Sequence, residues 1–89
     1  MPEITVRITN EKGMHARAAA LFSREASQHK ASVFVGREGL EVNGKSIMGV
    51  LMLAAYCGSE ITIRTDGDGA DEAMAALVGL VENKFGEDS

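Results

Sequence analysis

Apolar and polar residues alternate at the start of the chain. Ile4, Val6 and Ile8 are separated by Thr5, Arg7 and Thr9, a period of two that predicts a strand with one buried face. The polar residues Asn10, Glu11, Lys12 and Gly13 then read as a turn. Over residues 16–28 the period lengthens, and Ala19, Phe22 and Ala26 share one face of a predicted helix with Leu21 off that face. Residues 31–35 read as a second strand, 36–39 as a tight turn and 40–42 as a short return strand. Ser46 opens a second helix over 47–55, with Gly58 near its stop. Ile61 and Ile63 mark a fourth strand, and residues 66–69 a turn. A last helix over 70–85 buries Ala73, Leu77, Leu80, Val81 and the stem of Lys84, while Asp71 and Glu72 complement the dipole of its first turn. The order β-α-β-β-α-β-α, with half-buried strands, predicts one sheet with helices on one face.

Eighty-nine residues make one domain, spanning 1–89. The charge of −4 and the shortage of aromatic side chains argue against nucleic acid as a partner. That charge is unevenly spread: seven basic and five acidic residues lie up to Ser59, two basic and eight acidic after it. The first part is therefore mildly basic, which steers toward acidic partners, although scattered solvated charge explains the count as well. One cysteine, Cys57, allows no internal disulfide. With no secretory signal pattern and no long apolar run, a cytoplasmic protein without membrane insertion is expected.

The chemistry concentrates in Gly13-Met14-His15-Ala16-Arg17. An imidazole, whose unperturbed pKa is about 6.5, is nucleophilic near neutral pH without prior deprotonation. The helix start behind it offers unpaired N–H groups, and Arg17 a guanidinium fork for phosphoryl oxygens. Together they fit a histidine that carries a phosphoryl group. Taken alone, His15 is equally compatible with a surface side chain or a helix cap. His29 lies at the far end of the same predicted helix, so no metal site is expected. Gly39, Gly44, Lys45 and Ser46 match the bare spacing of a phosphate-binding loop, but the two glycines bracket a predicted strand, which rejects an ATPase. Ser46 is accounted for as an N-cap, and a phosphate there would meet a favourable helix dipole. Ile47, Met48, Val50, Leu51, Met52 and Leu53 leave the second helix no polar face. A one-sided sheet cannot bury them all, so Ile47, Met48 and Leu51 or Met52 are candidates for a docking surface.

Gly13-Met14-His15-Ala16-Arg17-Ala18-Ala19-Ala20, followed later by Gly44-Lys45-Ser46-Ile47-Met48-Gly49, resembles the histidine-containing phosphocarrier (HPr) family of the phosphoenolpyruvate-dependent phosphotransferase system. The resemblance covers essentially the whole chain. It implies an α+β open-faced β-sandwich, four antiparallel strands covered by three helices. It also implies that Nδ1 of His15 takes a phosphoryl group from phosphorylated enzyme I and passes it to an enzyme IIA domain. On this reading Arg17 and the backbone amides of Ala16 to Ala18 hold the phosphoryl oxygens, and an HPr kinase/phosphorylase modifies Ser46. Arg24 and Lys45 match basic positions of the family's docking face, and Ile47, Met48, Leu51 and Met52 its apolar centre. The protein would be a monomeric carrier without a cofactor, not an enzyme. Three positions depart from the family pattern: Ala18 replaces a proline, and Ser27 and Gly49 stand where lysine is common.

Two other readings compete. In one, a regulatory phosphorelay or co-regulator, of the kind found in the nitrogen-related branch, acts through Ser46 without sugar transport. In the other, a small acylphosphatase-like enzyme uses Arg17 with Asn43, a scheme that leaves His15 without a task.

Overall fold

The structure is a computed structural model that describes residues 2–89. Strands β1 (Glu3–Arg7), β2 (Ser32–Arg37), β3 (Leu40–Asn43) and β4 (Glu60–Asp66) form one antiparallel sheet in the order β1-β4-β2-β3. Helices α1 (Ala16–Ser27), α2 (Ile47–Met52) and α3 (Ala70–Glu82) complete an open-faced sandwich. The alternation seen in the sequence sets the register. Val6 pairs with Ile61, Val35 pairs with Ile63, and all four point into the core with Ile8 and Val33. Ile4, the second residue of the edge strand β1, does not follow them and is 44% exposed.

The other face of the sheet is polar. Thr5 and Thr62 pair across strands through their hydroxyls at 2.9 Å. The Arg64 guanidinium lies 4.2 Å from the Phe34 ring centroid and donates to Glu41 at 2.8 and 3.2 Å. That ion pair holds the Glu41 carboxyl below the usual carboxylate range.

Helix α1 buries Ala18, Ala19, Phe22, Ser23 and Ala26, and Leu21 is only partly covered, as the helical period predicts. Helix α3 buries Ala73, Met74, Leu77 and Val81, with Leu80 partly exposed. The predicted boundaries need three corrections. The β2–β3 turn is tighter than 36–39: Glu38 (φ 50°) and Gly39 (φ 86°) are both left-handed, the conformation of a two-residue hairpin. Helix α2 ends at Met52, not near residue 55, because Ala54 (φ 51°) turns the chain well before Gly58. Helix α3 stops at Glu82 because Lys84, Phe85 and Gly86 all have positive φ. These three residues make a tight turn that drops Phe85 into the core at 2% exposure and leaves the stem of Lys84 half-buried off the helix.

The β1–α1 loop is held against the segment after α2. Gly13 adopts φ +66°, and a Cβ there would lie 2.7 Å from the Ala55 carbonyl oxygen and 2.8 Å from Tyr56 Cα. Both the conformation and the close backbone approach require glycine. Gly13→Ala is expected to lower unfolding stability by about 2 kcal/mol, read as a lower urea midpoint with an unchanged slope.

Candidate functional site

His15 is the N-cap of α1, with extended backbone (φ −79°, ψ 179°). Its carbonyl accepts the Ala19 N–H at 2.8 Å, the first bond of the helix. The N–H groups of Ala16, Arg17 and Ala18 therefore have no acceptor within the helix and sit at its positive end beside the imidazole. The histidine side chain makes no cap bond to them. It is 28% exposed, so the ring is neither sealed in the core nor free in solvent.

Two sets of contacts place the ring. Upstream, the His15 N–H donates to Gly13 O at 3.0 Å, and the Met14 N–H donates to Ala55 O at 2.8 Å while the Met14 side chain is buried. The segment holding Ala55 is itself fixed from β2: Arg37 donates to Leu53 O at 3.1 Å, and its guanidinium lies 4.8 Å from the Tyr56 ring centroid. From the other side comes the C-terminal segment. Once Phe85 is buried, residues 86–89 run back over the loop that carries His15, and Glu87 Oε2 meets His15 Nε2 at 2.5 Å. The second oxygen, Oε1, accepts from Asn10 Nδ2 at 3.1 Å. Asn10 is fully buried and spends its other amide hydrogen on Gly13 O at 2.7 Å.

The bonds from His15 and, second, from Asn10 hold the Glu87 carboxyl below the usual carboxylate range, against an opposing effect of burial, with Lys12 assisting. His15, Arg17, Lys12, Glu11 and residues 86–89 line a depression of about 310 Å³, ample for a tetrahedral anion. Arg17 is exposed there and makes no hydrogen bond or ion pair among the described residues. The charges around the ring are thus mixed. The division between a basic first part and an acidic tail does not survive folding, because Glu87 and Asp88 return to the histidine.

The remaining candidates form a second region. Ser46 caps α2, its Oγ accepting the Gly49 N–H at 3.0 Å. Ile47, Met48 and Met52 are exposed, with Met48 at 70%, whereas Leu51 is half-buried against the core. Tyr56 is also exposed, at 63%, with its ring against the Arg37 guanidinium, and the sequence pattern did not single it out. Arg24 is exposed in the last turn of α1. Lys45 differs from expectation: its ammonium donates to the His29 carbonyl at 2.8 Å, so part of its donor capacity is spent on the backbone. His29 pairs with Glu25 on its own helix at 3.0 Å. No group of three or more His, Cys, Asp or Glu side chains among the described residues is arranged to hold a metal ion.

An N-cap imidazole and an arginine without a partner among the described residues thus share one depression on an open-faced sandwich of this topology. Residues 2–83 match the family profile described as "PTS HPr component phosphorylation site". The chain is 49% identical over 80 residues to the phosphocarrier protein HPr of Cupriavidus necator, covering 90% of each. It superposes on the crystal structure of HPr-C-His from Thermoanaerobacter tengcongensis with a TM-score of 0.96 and 43% identity, each chain fully covered. A crystal structure described as an HPr dimer from the same organism matches with a TM-score of 0.79 and 44% identity, covering 98% of this chain and 100% of that one. This chain belongs to the HPr phosphocarrier family of the phosphotransferase system.

The Glu87 contact sets a pH dependence. A carboxyl whose pKa is lowered by folding stabilises its contact above the ordinary carboxylate value and loses it as pH falls through the lowered value. The C-terminal segment is therefore expected to stay docked through mildly acidic solution and to release only below the usual carboxylate range. Amide hydrogen exchange at Gly86 and Glu87, followed as pH is lowered, measures this.

Proposed function

We propose that this chain accepts a phosphoryl group on Nδ1 of His15 from phosphorylated enzyme I and passes it to an enzyme IIA domain. The observation that carries this reading is the partly exposed His15 ring at the start of α1, beside three helix N–H groups without helical acceptors and an Arg17 unpaired among the described residues. A transferring phosphoryl group has little need of covalent help from its carrier; it needs positioning and charge stabilisation. The amides of Ala16, Arg17 and Ala18 and the Arg17 guanidinium supply both for the equatorial oxygens. One exposed arginine grips lightly, which lets the group leave again.

Ser46 is the proposed regulatory site, modified by an HPr kinase/phosphorylase. Phosphate on an N-cap hydroxyl is tolerated by the helix dipole but adds roughly two negative charges beside Ile47 and Met48. Docking weakens by like-charge repulsion and by the cost of desolvating that charge against an apolar strip, without refolding. Arg24, Lys45, Ile47, Met48, Leu51 and Met52 are the proposed partner contacts, joined by Tyr56. The chain works as a single-domain monomer in the cytoplasm, releasing one partner before meeting the next.

Incubation with phosphoenolpyruvate, magnesium and enzyme I should add one acid-labile, base-stable phosphoryl group. His15→Ala should take no label, and unchanged labelling would move the acceptor elsewhere. Arg17→Ala should slow transfer about 10–100-fold without loss of fold. With ATP and the kinase, an acid-stable label should appear on the wild-type chain and be absent from Ser46→Ala.

A further inference from the structure

The carboxylate against His15 belongs to neither the helix nor the loop that the sequence motif identifies. It is delivered by the C-terminal segment, with the buried Phe85 as anchor and three successive left-handed residues, Lys84, Phe85 and Gly86, bending the chain back. We propose that Glu87 is a positioning residue for His15, holding the Nε2–H of the ring so that the Nδ1 lone pair points outward as the nucleophile. This inference rests on the phosphocarrier reading and goes beyond it in naming what orients the ring.

Hydrogen-bond bookkeeping carries the argument. Asn10 Nδ2 donates to Gly13 O and to Glu87 Oε1, so that oxygen of Glu87 is an acceptor. The other oxygen lies 2.5 Å from His15 Nε2, a separation that two bare acceptors cannot hold. The proton between them sits on Nε2, because the contacts with His15 and Asn10 hold the Glu87 carboxyl below the usual carboxylate range and so ionised near neutral pH. In a neutral imidazole the second nitrogen is then the unprotonated one. Glu87 therefore selects the tautomer and clamps the ring plane, as second-sphere carboxylates do for other histidines.

The same carboxylate follows the charge through the cycle. When Nδ1 attacks, a P–N bond forms to His15 and the bond between phosphorus and the donor's leaving group breaks, its electron pair departing with the donor. The Nε2 proton stays, so the phosphorylated ring is cationic, and Glu87 sits against that new charge. When the acceptor attacks phosphorus, the P–N electron pair returns to the ring, which becomes neutral with Nε2–H still in place. No proton has to leave His15 at either step. Lys12 and Arg17 lie on the phosphoryl side of the balance, and Glu11 and Asp88 join Glu87 on the other.

Glutamine is isosteric with Glu87 but cannot accept at both ends, because its NH2 would face either Asn10 Nδ2 or His15 Nε2. Glu87→Gln and Glu87→Ala are therefore both informative, and neither removes the Phe85 anchor. In the wild-type chain, with 15N-labelled histidine, a slowly exchanging, downfield His15 Nε2–H resonance is expected, and it should be lost in both variants. Single-turnover phosphoryl transfer from enzyme I should slow about tenfold, which corresponds to 1.36 kcal/mol, with the KM for the carrier changed less than twofold. The pH profile for hydrolysis of the phosphorylated form should move to lower pH. Transfer rates within twofold of wild type in both variants, or a retained imidazole resonance in Glu87→Ala, would overturn the proposal while leaving the carrier reading intact. A wild-type chain that takes no label on His15 would overturn both.

Discussion

Packing of α1 and α3 onto one face of the sheet decides where every other segment can go. An 89-residue chain has apolar side chains enough to line one side of four strands, and Val6, Ile8, Val33, Val35, Ile61 and Ile63 are the side it lines. With that face taken, α2 has little sheet left to cover. It buries Val50 and turns Met48 and Met52 outward. The same packing fixes the start of α1, because the helix cannot slide without moving Phe22 and Ala26 out of the core. The position of His15 is thus a consequence of hydrophobic registry, and the local hydrogen bonds refine it.

Most of this was legible in the residue pattern. The strands, the order of elements and the buried stripe of α1 follow from periodicity alone, since each element has one covered and one solvated face. The exposure of Ile47, Met48 and Met52 follows from counting apolar residues against available surface. The motif around His15, with the resemblance it carries, located the candidate site. What periodicity could not reveal was the fate of the last residues. An acidic tail after a helix has no local signal that it will fold back, because the cause is the fit of Phe85 into a gap between elements distant in sequence. Glu87 and Asn10 were invisible for the same reason: each has an ordinary local role, as a tail residue and a turn residue, and they meet only through tertiary structure. Lys45 was expected on a docking face; its bond to the His29 carbonyl, which depends on where α1 ends, could not be read from the pattern.

On the proposed carrier reading, the site balances two demands on one ring. A carrier must bind a phosphoryl group well enough to take it and loosely enough to give it up. Helix amides and Arg17 favour the anion, while Glu87, Glu11 and Asp88 oppose it and favour a positive ring. Neither set surrounds the imidazole, and more than a quarter of the side chain stays open to a partner. On that reading the partial exposure matters as much as the identity of the residues, since a closed cage of cations would hold the group in place.

The return of the C-terminal residues also bears on how the molecule can be joined to anything else. The Ser89 hydroxyl donates to Glu11 at 3.2 Å, within the depression that holds the imidazole. Any peptide continued past that serine, whether an affinity tag, a fluorophore linker or a fused reporter, begins on top of the histidine. The opposite end of the chain enters the sheet where Glu3 pairs with Arg64, at the far end of β1 from the loop that leads to His15. Appendages that must leave the imidazole uncovered belong at that end, and a dye attached at the other would report on the surroundings of the ring.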